Sequence, residues 1–412
     1  MSFSIRAALL AGAVLVASAP ALAERLALDQ AIARAEAATP ALRAAEAGIA
    51  AARGGLRQAD VRPNPYVTVD ADNFAGTGPY NVLGRAEIAA TYNQPIERGG
   101  KRDARVALAR REITVAEASA QVARLEQAAA VERAFHGVGI AEYALEIALS
   151  RQSIEQGMQR EALRRVRGYK DPLFVETRAA ARVAQAGIVV ASARKRLATA
   201  RAALAGFWGE TGAGLEIENG AFTAVPTGLQ LAAADTALNE AAAQRAVAAV
   251  VVEQSRGRQD VTVGGGARFL RETNDVAAVA TVTIPLGRFD RNRGAIERAR
   301  AERERIELSA ETARLDRLRR VAALSADAEA SRSQAEAIVA EVYPRTAKTM
   351  VQVREGYARG GFAFRDMQDA ADAILRAQED WLEAITRYRE LQTELNRLTG
   401  RFDAAAPQET MP

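Results

Sequence analysis

Gln94–Glu112 reads QPIERGGKRDARVALARRE, and Ile284–Glu302 reads IPLGRFDRNRGAIERARAE. In both, an alternating apolar segment meets a proline, crosses a basic turn containing glycine and enters a long proline-free helical pattern, and the two lie 190 residues apart. Other landmarks repeat at nearly the same offset. LAGFWG ends at Gly209 and LNRLTG ends at Gly400, while a glycine turn sits near the middle of each copy, VRGYKDPLF at Val166–Phe174 and ARGGFAFRD at Ala358–Asp366. Landmarks in one order at one spacing imply a tandem duplication. Two copies are too few for a solenoid, so the repeat serves an approximate internal symmetry.

Before each junction the sequence alternates. Val67, Val69 and Ala71 fall opposite Thr68, Asp70 and Asp72, and Ala86, Ile88, Ala90 and Tyr92 fall opposite Arg85, Glu87, Thr91 and Asn93. In the second copy Val261, Val263, Ala267 and Phe269 oppose Thr262 and Arg268, and Ala278, Ala280, Val282 and Ile284 oppose Thr281 and Thr283. This predicts four strands in two hairpins, at about 65–95 and about 260–286. After each junction the pattern turns helical. Residues 101–167 hold no proline and would extend about 100 Å as one helix. Val106, Ala109, Ile113, Ala116, Ala120 and Ala123 recur at three-four spacing, a seam of mostly small residues that lets helices approach closely. Gly137 and Gly139 predict a bend in this helix, and Pro344 predicts a kink in its counterpart.

The expected organisation is therefore a first unit over 24–209 with a helical hairpin at about 101–208, a linker over 210–228, a second unit over 229–400 with a helical hairpin at about 294–398, and a disordered tail over 401–412. Arg6, the apolar run from Ala7 to Ala17 and Ala21-Leu22-Ala23 read as a secretory signal over 1–23. The formal charge of +4 is too mild to point to nucleic acid. Cysteine is absent, which excludes disulfides, thiolate metal sites, a cysteine nucleophile and an acyl anchor on cysteine. The most apolar stretch of the mature chain, Ala246–Val252, is far too short to span a bilayer as a helix, so any membrane crossing must use strands. Each strand is about as long as a tilted membrane strand, yet four cannot close a barrel, which starts at about eight. Other copies of the chain must complete it. Two small sheets packed on helices in a soluble periplasmic protein, a coiled-coil adaptor or scaffold, form the alternative.

The segments QPIERGGKRDAR, IPLGRFDRNRGAI, GYARGGFAF and LNRLTG resemble the signature segments of TolC-type outer-membrane efflux proteins, most of all the cobalt-zinc-cadmium (CzcC-like) branch that serves heavy-metal resistance-nodulation-division (RND) pumps. The resemblance covers nearly the whole mature chain in order. It implies a mainly α fold with a membrane β-barrel: a homotrimer in which four strands per chain form a 12-stranded barrel above a long periplasmic α-helical tunnel. It implies an exit duct in the outer membrane, not lipidated, working with a periplasmic adaptor and an inner-membrane RND pump and carrying cobalt, zinc or cadmium. Organic drugs or a type I secretion role are rivals within the same fold.

The resemblance also assigns residues. Pro95, Lys101 and Arg102, with Arg105, mark the first barrel–tunnel junction, and Pro285 and Arg291, with Arg288 and Arg293, mark the second, near the inner leaflet. Glu97-Arg98 and Gly287-Arg288 are more polar there than the family pattern. Adaptor docking falls on the tip residues Gly168, Asp171, Pro172, Gly360 and Gly361. From the residues alone Asp171 reads as a helix N-cap followed by a proline at the first helical position. Asp366 and Asp369 stand three apart on one helix face near its N-terminus, where the dipole favours carboxylates; by resemblance they narrow the periplasmic aperture. His136 is the only histidine and reads as a packed side chain rather than a metal ligand. No nucleophile elbow or phosphate loop is present, so no enzyme, cofactor or resident metal is expected.

Overall fold

The computed structural model describes residues 25–80, 83–218 and 231–403. The expected signal segment lies outside these, as do part of the linker and most of the tail. Helices α1 (Leu28–Ala38) and α2 (Pro40–Ala59) meet at Thr39-Pro40 and lead to strands β1 (Tyr66–Asp72) and β2 (Glu87–Ile96). Then come α3 (Lys101–Arg167) and α4 (Phe174–Ala205). The second unit runs α5 (Ala233–Arg256), β3 (Val261–Leu270), β4 (Asp275–Thr283), α6 (Arg293–Ala337), a π-turn (Ile338–Val342), α7 (Tyr343–Arg359) and α8 (Phe364–Thr399).

The four strands form a single antiparallel sheet in the order β1-β2-β3-β4. Its register sorts the side chains cleanly. Val69, Ala90, Ala267 and Ala278 lie in one row; Val67, Tyr92, Gly265 and Ala280 in another; Ala71, Ile88, Phe269 and Val276 in a third, all on one face. The opposite face carries Thr68, Thr91, Asp70, Asp72, Glu87, Arg268, Thr281 and Asp275. The apolar face lies bare, with Val69 66%, Val276 70% and Val282 63% exposed. Both β1 and β4 have an open edge. An apolar sheet face with two unpaired edges would aggregate in water; lipid on the face and further strands at the edges relieve both problems.

Pro95 sits inside β2, which extends one residue past it, rather than after the strand as the alternation alone suggests. A proline lacks the N–H that a central strand needs. Beyond Asn93, which pairs with the first residue of β1, the β1 side of β2 is unpaired, so the missing donor costs no ladder bond there. Within β3 a Cβ at Gly266 would run into the Ala90 carbonyl oxygen, and one at Gly264 into the Asn93 side chain. These glycines let β2 and β3 close tightly while Thr91 and Asn93 fold over them, buried, with Asn93 Nδ2 donating to Thr68 Oγ1 at 3.0 Å.

The helix α3 runs unbroken for 67 residues. At Gly137 and Gly139, where a bend is expected, the helix is not interrupted: both stay helical, and Gly139 is buried. The seam residues from Val106 to Ala123 are all buried or half-buried. The counterpart in the second unit is interrupted, as Pro344 predicts, but as a π-turn just before it, with Pro344 in the first turn of α7 where its missing N–H is harmless. Among the described residues five apolar clusters hold the helices, and three of them are large. One gathers α1, α3 and α4 around Val131, Phe135 and Leu204; another joins α6 and α8 around Val321, Tyr388 and Leu395. The third, at the end far from the sheet, collects Met158 and Ala162 of α3, Val175 of α4, Tyr357 of α7 and Phe364 and Met367 of α8, so the two hairpins are fused at their tips. Among the described residues no helix is long and apolar enough to cross a membrane.

Candidate functional site

Both hairpin tips turn by the same device. At the end of α7 the Gly361 N–H donates to the Gly356 carbonyl at 2.9 Å and the Gly360 N–H to the Tyr357 carbonyl at 3.0 Å, a complete Schellman motif with Gly360 left-handed at φ +89°. At the end of α3 Lys170 donates to Arg165 at 2.9 Å and Tyr169 to Val166 at 3.0 Å. There the left-handed residue is Tyr169, not Gly168, which keeps an ordinary negative φ. Gly356 is needed for another reason: a Cβ there would strike the Phe362 ring, which folds back over it.

Asp171 does not cap α4. That helix starts at Phe174 with Leu173 at its cap, so Pro172 is not its first residue either. The carboxylate is engaged elsewhere. Arg165 Nε and Nη2 donate to its two oxygens at 3.0 Å each, and the Tyr357 hydroxyl donates to Oδ2. Arg165 Nη1 also donates to the Tyr357 carbonyl at 2.7 Å, and its guanidinium lies 4.5 Å from the Tyr357 ring centre. Tyr357 is completely buried. The guanidinium holds the Asp171 carboxyl below the usual carboxylate range, aided by the Tyr357 hydroxyl and opposed by burial. Burial, then the bond to Asp171, pushes the Tyr357 phenol up, so it remains a donor. This three-residue knot joins the first hairpin to the second.

Sequence reading missed Arg165 and Tyr357. A signal was present: Arg165 matches Gly356, and Tyr169 matches Gly360, at the repeat offset of 191. Further ties run inward from the tip. Arg182 of α4 donates to Glu155 of α3 at 2.8 Å and to Asp372 of α8, and Arg151 donates to Glu379 at 2.6 Å.

Asp366 and Asp369 lie on the exposed face of α8 in its first two turns, beside this knot. Asp366 Oδ2 accepts the Ala363 N–H at 2.8 Å, which closes the helix start, and Asp369 lies 3.9 Å from Arg365. Around the tip turns Tyr169, Leu173 and Phe174 are exposed, with Phe362 partly so.

At the first barrel–helix junction Gly99 and Gly100 are both left-handed, at φ +76° and +70°, and a Cβ at Gly99 would meet the Arg258 side chain. Every cation that enters α3 finds an acid: Lys101 pairs with Asp260 at 2.8 Å, Arg102 with Asp60 at 2.7 Å, and Arg105 with Glu97. Asn292 takes the left-handed position at the second junction, φ +58°. Pro285 and Arg291 are exposed there.

His136 is half-buried, 3.5 Å from the fully buried Glu132, which also accepts from Asn396 at 2.8 Å and lies 3.7 Å from Arg401. Among the described residues no group of three or more His, Cys, Asp or Glu is arranged to hold a metal.

Comparison with known proteins matches the same architecture. Residues 228–401 match the family model described as outer membrane efflux protein. The chain is 30% identical over 369 residues to the cobalt-zinc-cadmium resistance protein CzcC of Cupriavidus metallidurans, covering 87% of this chain and 86% of that protein. Its fold is similar to that of the outer membrane protein VceC of Vibrio cholerae, with a TM-score of 0.74 at 20% identity over 90% of this chain and 96% of that one. It is also similar to CusC, with a TM-score of 0.72 at 15% identity over 90% and 91%. With its four-stranded sheet, its paired long hairpins and a relative of this identity across most of its length, the chain belongs to the outer membrane efflux protein family.

Proposed function

We propose that three copies of this chain form the exit duct of a tripartite efflux system that passes heavy-metal cations across the outer membrane. The sheet carries this reading: a bare apolar face, a polar face and two open edges are what one third of a 12-stranded barrel needs, with the apolar face on lipid and Asp70, Asp72, Glu87, Arg268 and Asp275 toward the lumen. The helical hairpins form the periplasmic tunnel below it. Cations are favoured because the relative at 30% identity is a cobalt-zinc-cadmium resistance protein. The duct needs no resident metal site, since the cargo must leave, and it carries no catalytic residues. Energy comes from an inner-membrane RND pump, reached through a periplasmic adaptor that docks on the tips, where Tyr169, Leu173, Phe174 and Phe362 offer apolar surface around Gly168, Asp171, Pro172, Gly360 and Gly361.

Growth of a deletion strain and its complemented control across zinc, cobalt, cadmium, nickel, copper and organic drugs tests the cargo. The expected result is hypersensitivity to one metal group with raised cell-associated metal, both reversed by the gene. Sensitivity confined to organic compounds would defeat the cation assignment.

The aperture is assigned to Asp366 and Asp369. Three copies would bring six carboxylates round one axis, a ring that attracts cations. Asp366→Asn with Asp369→Asn is expected to raise conductance in planar bilayers and to lower cation preference severalfold. Because Asp366 also closes the start of α8, Asp369→Asn alone is the cleaner probe of selectivity. A double variant with unchanged conductance and selectivity would remove the aperture role.

A further inference from the structure

The two barrel–helix junctions share a sequence pattern and a backbone geometry, yet their charges are arranged in opposite ways. At the first, Lys101, Arg102 and Arg105 are half-buried and each is neutralised by an acid, and Asp103 adds a further carboxylate in the first turn of α3. At the second, Arg288, Arg291 and Arg293 are exposed, and among the described residues no carboxylate pairs with them. Two nearby acids are engaged elsewhere, Asp290 Oδ1 accepting the Asn292 N–H at 2.8 Å and Glu253 taking Arg256 and the Asn292 amide, and Glu297, one turn further along α6, pairs with none of these arginines. The first turn of α6 holds no acid, and the Asn292 side chain is turned to Glu253 instead of capping the helix, so the positive end of α6 is also unscreened.

The same loop is conspicuously apolar. Carrying the two-residue alternation of β4 past Thr283 puts Ile284 and Leu286 on the face of Val276, Ala278, Ala280 and Val282, the bare apolar face of the sheet. Leu286 is 88% and Phe289 93% exposed. A tight turn, Arg288 N–H to Leu286 carbonyl at 2.7 Å, sets these groups side by side, and the Arg288 guanidinium lies 5.5 Å from the Phe289 ring centre.

We propose that residues 284–293 form an interfacial anchor for anionic phospholipid in the inner leaflet of the outer membrane. Leu286 and Phe289 enter the acyl boundary, and Arg288, Arg291 and Arg293 take lipid phosphates. The surface is continuous with the lipid-facing sheet, which supplies the apolar half, and its unpaired cations match a phosphate plane at the same depth. Arginine suits that plane, since its planar fork binds phosphate oxygens bidentately. At the first junction the exposed Arg98 is offset by Asp103 and the other cations are paired, so the preference is weaker there and each protomer holds the membrane mainly on one side of its sheet. The inference rests on the outer-membrane placement proposed above.

The test uses the full-length chain purified as its detergent-solubilised oligomer. Phosphatidylglycerol and phosphatidylethanolamine are added in turn, and retained lipid is counted by native mass spectrometry. Wild type is expected to retain phosphatidylglycerol in preference. Arg288→Gln with Arg291→Gln and Arg293→Gln is expected to lower that preference on the order of 100-fold, since each juxtamembrane cation contributes roughly fivefold. Arg102→Gln, whose cation already pairs with Asp60, should leave it unchanged. Because the chain has no cysteine, Phe289→Cys can carry one nitroxide per protomer in the reconstituted oligomer, expected to be relaxed by oxygen and shielded from water-soluble nickel. Equal retention of both lipids by wild type, an undiminished preference in the triple variant, or a label open to nickel or immobilised against a neighbouring protomer would each overturn the anchor. Failure to recover any membrane-inserted oligomer would instead count against the duct reading itself.

Discussion

Replacing Asp171 with alanine is expected to open the resting channel. The substitution strands the Arg165 guanidinium, which loses both 3.0 Å bonds, and removes the acceptor of the buried Tyr357 hydroxyl. Both partners of the ion pair are part-buried, so the loss per protomer falls between the roughly 0.2–1 kcal/mol of an exposed pair and the about 3–5 kcal/mol of a fully buried one. The two Arg165 bonds lie within the first hairpin and the Tyr357 bond crosses to the second, so part of the loss falls on that tip and part on the joined arrangement of the two hairpins. Even about 1.4 kcal/mol of that difference shifts a two-state equilibrium tenfold. Planar-bilayer conductance should therefore rise, and intact cells should admit large antibiotics. Tyr357→Phe, which keeps the ring and the Arg165 stacking but drops one bond, should show a smaller effect in the same direction. An Asp171→Ala channel as tight as wild type would mean that the knot has no part in closure.

The pH dependence of this knot has a definite sign. The Asp171 carboxyl is held below its ordinary value by Arg165, with help from Tyr357. Its stabilisation is thus complete above the ordinary carboxylate pKa of about 4 and is lost as pH falls through the lowered folded value. Wild-type conductance should be flat from neutrality to about pH 5 and rise only in stronger acid. Asp171→Ala should lose this acid-induced rise while remaining leaky throughout.

Much of the architecture was legible in the sequence, and the divide between what was and was not has a physical basis. Strict alternation in Tyr66–Asp72 and Val261–Leu270 exposes a two-residue period, and the lack of proline over 101–167 exposes a helix; both are local properties of the backbone. Gly137 and Gly139 do not interrupt α3, because glycine permits a break in a helix without compelling one. The Asp171-Pro172 cap failed because local capping, worth about 1 kcal/mol, competes with a largely buried guanidinium arriving from within the same hairpin and a phenol arriving from the other. Side-chain partners that lie 186 residues apart leave no mark on local periodicity. Only the repeat offset hinted at them.

The second large effect is expected at Asp235, far from any exposed turn. It lies in the first turn of α5, 4% exposed, where the helix dipole favours its charge. Arg397 near the end of α8 grips it at 2.6 and 3.2 Å while donating Nε to Glu126 of α3 at 2.8 Å, and Arg317 of α6 approaches within 3.6 Å. Asp403 closes the start of α5 by accepting the Ala233 N–H at 2.7 Å. The carboxylate therefore ties α5 to α6 and α8 of the second unit, and Arg397 carries the link on to α3 of the first through Glu126. Burial alone would lower the Arg397 pKa, but the two carboxylates outweigh it and the net direction is up, so the guanidinium cannot shed its charge when a partner is lost. Asp235→Ala should cost about 3–5 kcal/mol, a large share of the 5–15 kcal/mol typical of a folded domain, and should lower both the melting temperature of the purified oligomer and its yield in the membrane. Adding Arg397→Met removes the stranded charge and should recover a substantial part of the loss, because replacing both members of a buried pair by apolar groups is often close to neutral. If the double variant melts no higher than Asp235→Ala alone, the damage lies in lost packing at Ala232–Ala234 rather than in the uncompensated cation, and the electrostatic account of this knot is wrong.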